Sequence, residues 1–234
     1  RGKIAELVTD RGMARKMTPQ GYPLGSRRLC SEIGFYESMN RDHVTLVDVR
    51  EEPVERVEAD AIVTRQGRYP AEIIVFATGF DACVGAIKAI HIRGRHGRSI
   101  AEDWADGPHA YLGLAVPEFP NMFTITGPGS PSVLSNVVVS IEQHVEWITR
   151  CLTDLRQRRV AMIEATAEAE SEWMQHVHEV AHQTLFPRAN SWYQGRTRDG
   201  RQVFMPYVGG CGPYREKCDE VAANDYEGFR LAEG

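Results

Sequence analysis

A short apolar run closed by glycines and followed at once by a long amphipathic stretch constrains this chain more than any other feature. Met122-Phe123-Thr124-Ile125-Thr126 leads into Gly127-Pro128-Gly129-Ser130-Pro131-Ser132. From near Val133 to past Leu155, apolar residues recur at helical spacing through Val137, Ile141, Val145, Ile148 and Leu152. A strand, a glycine turn and a helix in this order imply an α/β architecture. A second run, Ile73-Ile74-Val75-Phe76-Ala77-Thr78-Gly79, is apolar without alternation, as a strand buried on both faces of a parallel sheet would be. Ligands of such sheets sit beyond the carboxyl ends of the strands, where helix N-termini point. The turn at residues 127–132 is therefore a candidate cofactor contact: its glycines let backbone approach a flat ring or a phosphate, and the helix start offers free N–H donors. A plain tight turn would explain the same residues.

Elsewhere the pattern is more ordinary. Residues 1–17 read as a helix carrying Ile4, Leu7, Val8, Met13 and Met17, ended by Thr18-Pro19-Gln20-Gly21-Tyr22-Pro23. Val44-Thr45-Leu46-Val47-Asp48-Val49 reads as a short strand, and Ala61-Ile62-Val63-Thr64 with Gly67 behind it as a hairpin arm. A further helix is expected over about 161–184, rich in Ala and Glu. Residues 190–234, aromatic and punctuated by glycine, suggest irregular structure docked on a core.

The 234 residues are 42% hydrophobic and 25% charged, ordinary for one large globular domain or two small ones. A net charge of −5 argues against a nucleic-acid partner, and the short arginine clusters at 93–98 and 156–159 read as solvated surface. No apolar run approaches the roughly 18–20 residues that cross a bilayer. The opening Arg1-Gly2-Lys3 has neither an initiator Met nor an apolar segment, so no secretory signal is visible. Five scattered cysteines, an odd number, suit a reduced, cytoplasmic protein.

Several segments are specific enough to carry a resemblance. Ile74-Val75-Phe76-Ala77-Thr78-Gly79-Phe80-Asp81-Ala82 resembles the strand motif of flavoproteins with two dinucleotide-binding domains. Phe119-Pro120-Asn121-Met122-Phe123, the Gly127 to Ser132 turn, Ser135-Asn136, Ser191-Trp192-Tyr193-Gln194-Gly195 and the tail from Met205-Pro206-Tyr207-Val208-Gly209-Gly210 through Tyr226-Glu227-Gly228-Phe229 resemble the type I Baeyer–Villiger monooxygenases, nearest the phenylacetone monooxygenase branch. The resemblance extends over essentially the whole chain and follows the family's order. The two Gly-x-Gly-x-x-Gly loops and the Phe-x-Gly-x-x-x-His-x-x-x-Trp-Pro fingerprint of that family do not occur in this sequence. The resemblance therefore implies the carboxy-terminal portion of a Rossmann-like, two-dinucleotide-binding-domain α/β flavoprotein monooxygenase. Residues 1–22 would end a helical insertion, 23–72 would be the returning piece of the NADPH domain, and 73–234 that of the FAD domain.

The same resemblance implies roles. The parent would use NADPH and FAD to form a peroxyflavin from O₂ and convert a ketone to an ester or lactone, with oxygenation of nitrogen or sulfur as the alternative. It would need the other half of its own chain. Arg28, seven residues before Phe35-Tyr36, takes the place of the catalytic arginine: a guanidinium stays charged and can stabilise an oxyanion. It should also touch the nicotinamide cofactor. Arg27 takes the place of a residue that reads the 2′-phosphate of NADPH. Trp192 matches a tryptophan on a loop, here residues 187–201, that folds over that cofactor. Asn136 and Val137 should border the flavin, and Ser132, Val133, Leu134 and Val137 the ketone pocket.

One motif points to a different class. His178-Glu179-Val180-Ala181-His182 is a formal His-Glu-x-x-His match, which on a helix would turn two imidazoles towards one zinc, with the glutamate as general base of a peptidase. No Gly-x-x-His continuation follows, no third ligand announces itself, and a solvated helix face explains the residues, so no metal site is expected. A non-catalytic remnant is the remaining possibility for the chain by itself.

Overall fold

The computed structural model describes residues 1–81, 84–197, 199–200 and 202–233, apart from the side chains of Val133 and Arg196. Its contacts divide it into two compact units: Arg1–Tyr22 with Leu29–Thr78, and Pro23–Arg28 with Gly79–Gly234.

In the first unit the expected helix over residues 1–17 is two: α1 (Gly2–Leu7) and α2 (Arg11–Met17). Asp10 makes the break, because its Oδ1 accepts the Met13 N–H at 2.6 Å and so caps the second helix. Ile4, Val8 and Ala14 form a small core, packed against by Met13, Met17, Met39 and Tyr36, the last from α3 (Phe35–Ser38). Strands β1 (Val54–Val57), β2 (Ala61–Thr64) and β3 (Arg68–Pro70) make an antiparallel sheet in that order. The hairpin expected at Gly67 forms, with the Thr64 N–H donating to the Gly67 carbonyl at 2.9 Å.

Two expected strands of this unit do not form. At residues 44–49 the Val44 N–H turns back to the Arg41 carbonyl at 3.0 Å. Residues 73–79 are assigned to no strand, and Ile73 and Val75 are 83% and 80% exposed. A strand covered on both faces needs neighbours along both edges, and the described residues supply none there.

The second unit begins with α4 (Gly85–Ala89) and α5 (Ile100–Asp103), the latter started by a reciprocal Ser99–Glu102 cap. Then come α6 (Val137–Gln157), β4 (Val160–Ala165), α7 (Ala167–His182), β5 (Gln194–Arg196), β6 (Gln202–Phe204), α8 (Cys211–Ala223) and β7 (Phe229–Glu233). β4 pairs with β7 and β5 with β6, both antiparallel. Residues 161–165, expected as the start of a helix, are strand; Thr166 then caps α7 by accepting the Ala169 N–H. Residues 190–234 are not irregular, since they hold a hairpin, a helix and a strand. The run 122–126 is threaded rather than laddered: Thr124 donates its N–H to the Leu114 carbonyl at 2.8 Å and its hydroxyl to the Gly113 carbonyl at 2.9 Å. Parallel pairing is absent among the described strands, and the unit mixes helices with small antiparallel sheets.

The core lies between α6, α7 and α8. The buried face of α6 is Ser140, Gln143, His144, Trp147, Cys151 and Leu155, packed with Tyr111, Trp173, Tyr207, Tyr214 and Val221. This is not the expected stripe: Val137, Ile141, Val145 and Leu152 are exposed. Trp147 decides the choice, because its indole fills the aromatic cluster and its Nε1 donates to the Cys218 carbonyl at 2.8 Å. Cys30, Cys151, Cys211 and Cys218 are free thiols, and Cys83 lies outside the described residues. No described helix is long and apolar enough to cross a membrane.

Candidate functional site

The long helix expected from near Val133 starts at Val137, because Ser132–Leu134 forms a separate 3₁₀ turn. Asn136 caps α6, its Oδ1 accepting the Val138 N–H at 3.1 Å, and Val137 opens the first turn on the exposed side. Ser132 is buried with φ 44°, strained for a residue with a side chain. Leu134 packs on Ala181, Tyr193 and Phe204, while the Val133 side chain lies outside the described residues. Gly129 has φ 87°, and a Cβ there would stand 2.8 Å from Trp173 Nε1, which donates to the Gly129 carbonyl at 3.0 Å. Glycine is needed at that position for packing against α7.

A buried histidine holds the turn from behind. His144 Nδ1 accepts the Thr126 N–H at 2.9 Å, which puts its proton on Nε2. That nitrogen donates to the Tyr214 hydroxyl at 2.8 Å, and Tyr214 donates to the Leu112 carbonyl at 2.6 Å. Burial pushes the His144 imidazole down to about 4, so it stays neutral. Nothing in the sequence signals this chain of bonds: a lone histidine in an amphipathic helix has the look of any surface residue.

The arginine pair belongs to the Pro23–Arg28 segment, whose buried Ser26 donates its hydroxyl to the Pro23 carbonyl at 2.5 Å. Arg27 Nη2 donates to the Asn190 carbonyl at 2.6 Å, two residues from Trp192. Arg28 is exposed at the end of the same segment. Trp192 is half exposed, with its ring 4.4 Å from that of Tyr193. With Phe80, Asp81, Lys88, Pro108 and Met205 it lines a cavity of about 270 Å³. Met205 then joins this loop to the glycine turn: its N–H donates to the Tyr193 carbonyl at 2.9 Å, and its carbonyl accepts the Gly129 N–H at 2.7 Å. The structure thus brings Arg27, the Trp192 loop and the Gly129 to Leu134 turn into one connected region. Arg28, Asn136 and Val137 are not among the described residues lining the Trp192 cavity. Arg198 and Arg201, in the expected lid, lie outside the described residues.

His178, Glu179 and His182 line one open cavity on α7, each of the last two with a partner on its own helix. His182 Nδ1 is bonded to the His178 carbonyl at 2.7 Å, and Glu179 accepts from Gln175 at 2.8 Å. Among the described residues no group of three or more His, Cys, Asp or Glu is placed to hold a metal ion. A zincin takes three protein ligands.

No family model matches the chain. It is 38% identical over 234 residues to the 2-oxo-Δ³-4,5,5-trimethylcyclopentenylacetyl-CoA monooxygenase of Pseudomonas putida, covering 98% of this chain and 43% of that protein. It is 40% identical over 233 residues to a phenazine N-monooxygenase of Lysobacter antibioticus, covering 99% and 42%. Among solved structures, cyclohexanone monooxygenase from Rhodococcus sp. Phi1 bound to NADP⁺ matches with a TM-score of 0.92 at 38% identity, covering 100% of this chain and 44% of that one. Over essentially its whole length the chain is homologous to part of the Baeyer–Villiger flavoprotein monooxygenases. It spans less than half the length of the curated relatives it matches, and within that family its mixed helix and strand are a portion of a two-domain flavoprotein fold.

Proposed function

We propose that this chain is the carboxy-terminal part of an FAD- and NADPH-dependent Baeyer–Villiger monooxygenase that inserts one oxygen atom from O₂ beside a ketone carbonyl, giving an ester or lactone. The observation that carries this is the match, along the whole of this chain, to a cyclohexanone monooxygenase bound to NADP⁺. The donor set fits such a cofactor: an exposed guanidinium pair ends the segment that Arg27 ties to Asn190, beside the Trp192 loop, and guanidinium forks pair bidentately with phosphate.

When bound, FAD and NADPH supply the activated oxygen and the reducing equivalents. Arg27 holds the 2′-phosphate. Trp192 and its loop would cover the nicotinamide and exclude water. Asn136 and Val137 border the flavin, while Ser132, Val133, Leu134 and Val137 shape the ketone pocket. Arg28 would stabilise the negative charge that develops on the reacting oxygen, because a guanidinium donates in a fixed fork. On the same basis residues 1–22 end a helical insertion, 23–72 complete the NADPH domain and 73–234 the FAD domain. The rest of both domains comes from the remainder of the parent protein, whose strands would cover the exposed Ile73 and Val75.

N-oxygenation is the second possibility, favoured by the 40% identity to a phenazine N-monooxygenase. The test uses the full-length protein: NADPH oxidation with phenylacetone and cyclohexanone, with product identified by mass, for wild type and Arg28→Ala. Ester from wild type, and a variant that still reduces flavin without making ester, is expected. An N-oxide from an aromatic amine with no ester from either ketone would replace the ketone assignment.

A further inference from the structure

The turn after α5 carries a charged cluster that the oxygenation chemistry does not use. His109 Nε2 stands 3.3 Å from Asp103 Oδ2, and its Nδ1 contacts Glu170 Oε1 from the first turn of α7. Asp103 is only 7% exposed and also pairs with Arg98, at 2.6 Å. Two residues before His109, Gly107 adopts φ 112°, and a Cβ there would stand 2.8 Å from Val203 of β6. On the other strand, a Cβ at Gly195 would stand 2.8 Å from Pro108. The Gly107-Pro108 turn is thus the floor on which the β5–β6 hairpin rests. That hairpin continues directly from Trp192 and lines the Trp192 cavity through Gln194, Gly195 and Met205.

We propose that His109 is a positioning residue: in its charged form it ties Asp103 to Glu170, and so fixes the Gly107-Pro108 turn beneath the hairpin that carries the Trp192 loop. This rests on the assignment of that loop as the cover of a nicotinamide cofactor. Among the described residues, His109 is the cation that reaches both carboxylates when protonated, since Arg98 pairs with Asp103 and not with Glu170. Burial works against the imidazolium, but the hydrogen bond and charge of Glu170, with the charge of Asp103, outweigh it and raise its pKa. The other titratable groups facing the cluster are Glu118, which acts on Asp103, and His178, Glu179 and His182, which share an open cavity with His109 and Glu170 along α7. With a raised pKa, the clamp is complete below the ordinary histidine range and is lost as pH rises through the folded value.

Arg196 ends β5, and the sequence between β5 and β6 contains Arg198 and Arg201, so this stretch of chain holds three tryptic sites. The experiment follows cleavage at these three bonds, fragments being identified by mass, in the flavin-loaded full-length protein between pH 6.5 and 9. Rates are normalised to a free peptide cut under the same conditions. Wild type should be cut severalfold faster at the alkaline end. His109→Gln and Glu170→Gln should be cut fast at every pH, and His109→Lys, charged throughout, slowly at every pH. Glu170→Gln leaves the His109 side chain in place, so it still decides the matter if His109→Gln fails to fold. A normalised rate that is flat with pH in wild type, or equal pH profiles in wild type and Glu170→Gln, would overturn the clamp. Adding NADP⁺ tests the loop assignment separately: pH-dependent cleavage without NADP⁺ protection sinks that assignment and leaves the clamp standing.

Discussion

Two apolar, β-branched segments of the first compact unit end in opposite states. Ala61-Ile62-Val63-Thr64 becomes the middle strand β2, with Ala61 fully buried and Val63 8% exposed. Ile73-Ile74-Val75-Phe76 is more apolar, yet it forms no strand and leaves Val75 80% exposed. Their propensities are alike; what differs is that β1 and β3 flank β2. Strand propensity is a measure of fit to a pleated, partly covered surface rather than a backbone preference. The same contrast divides α6, whose inner face carries Trp147 in the aromatic core and whose outer face shows Ile141, Val145 and Leu152 to solvent.

Truncating the two faces of α6 gives the widest expected difference. Trp147→Ala should lower stability by about 3–5 kcal/mol in urea denaturation. Leu152→Ala should cost less than about 1 kcal/mol if that face stays open in the full-length protein. Equal losses would mean that the outer face is covered there, and the contrast would belong to this chain alone.

Acid titration probes the inner face more finely. His144 is buried neutral with its pKa lowered to about 4, so the unfolded chain binds its proton first. Stability from this residue is complete above the unfolded value near 6.5 and falls as pH drops towards 4, by roughly 3 kcal/mol in all. A His144→Gln variant should lose most of this slope in pH-dependent denaturation. An unchanged slope would assign it to other groups.

The two apolar segments should differ by less. Val63→Ala should cost about 1–2 kcal/mol through lost burial, and Val75→Ala close to nothing. A substantial cost at Val75 in the full-length protein would show that the remainder of the chain supplies the partner strands. Smallest of all, Arg68→Ala removes exposed pairs with Asp60 and Glu58 at the rim of the β2 sheet. Its denaturation midpoint should stay in place at physiological salt, because exposed pairs are screened.

Local chemistry was legible wherever a short segment decides its own state. The Gly67 hairpin and the turn at residues 127–132 both stand where the sequence puts them, because each depends on a few neighbouring groups. Cooperative features were not legible. Residues 161–165 have an ordinary helical composition, but β7, more than sixty positions onward, makes them a strand. The same holds for the site. The motifs named Arg27, Trp192 and the helix start, but neither Met205, which ties the Trp192 loop to Gly129, nor the His144–Tyr214 pair behind the turn could be read from spacing.

Sequence by itself pointed to the Baeyer–Villiger monooxygenases as this chain's relatives and to the residue types available for its chemistry, since motif identity survives any uncertainty about which strands pair. Tertiary structure decided which apolar faces are covered, that Gly129 serves packing against α7, and that His109 lies between two carboxylates beneath the hairpin. These outcomes turn on contacts between residues distant in the chain, and a one-dimensional pattern carries no term for them.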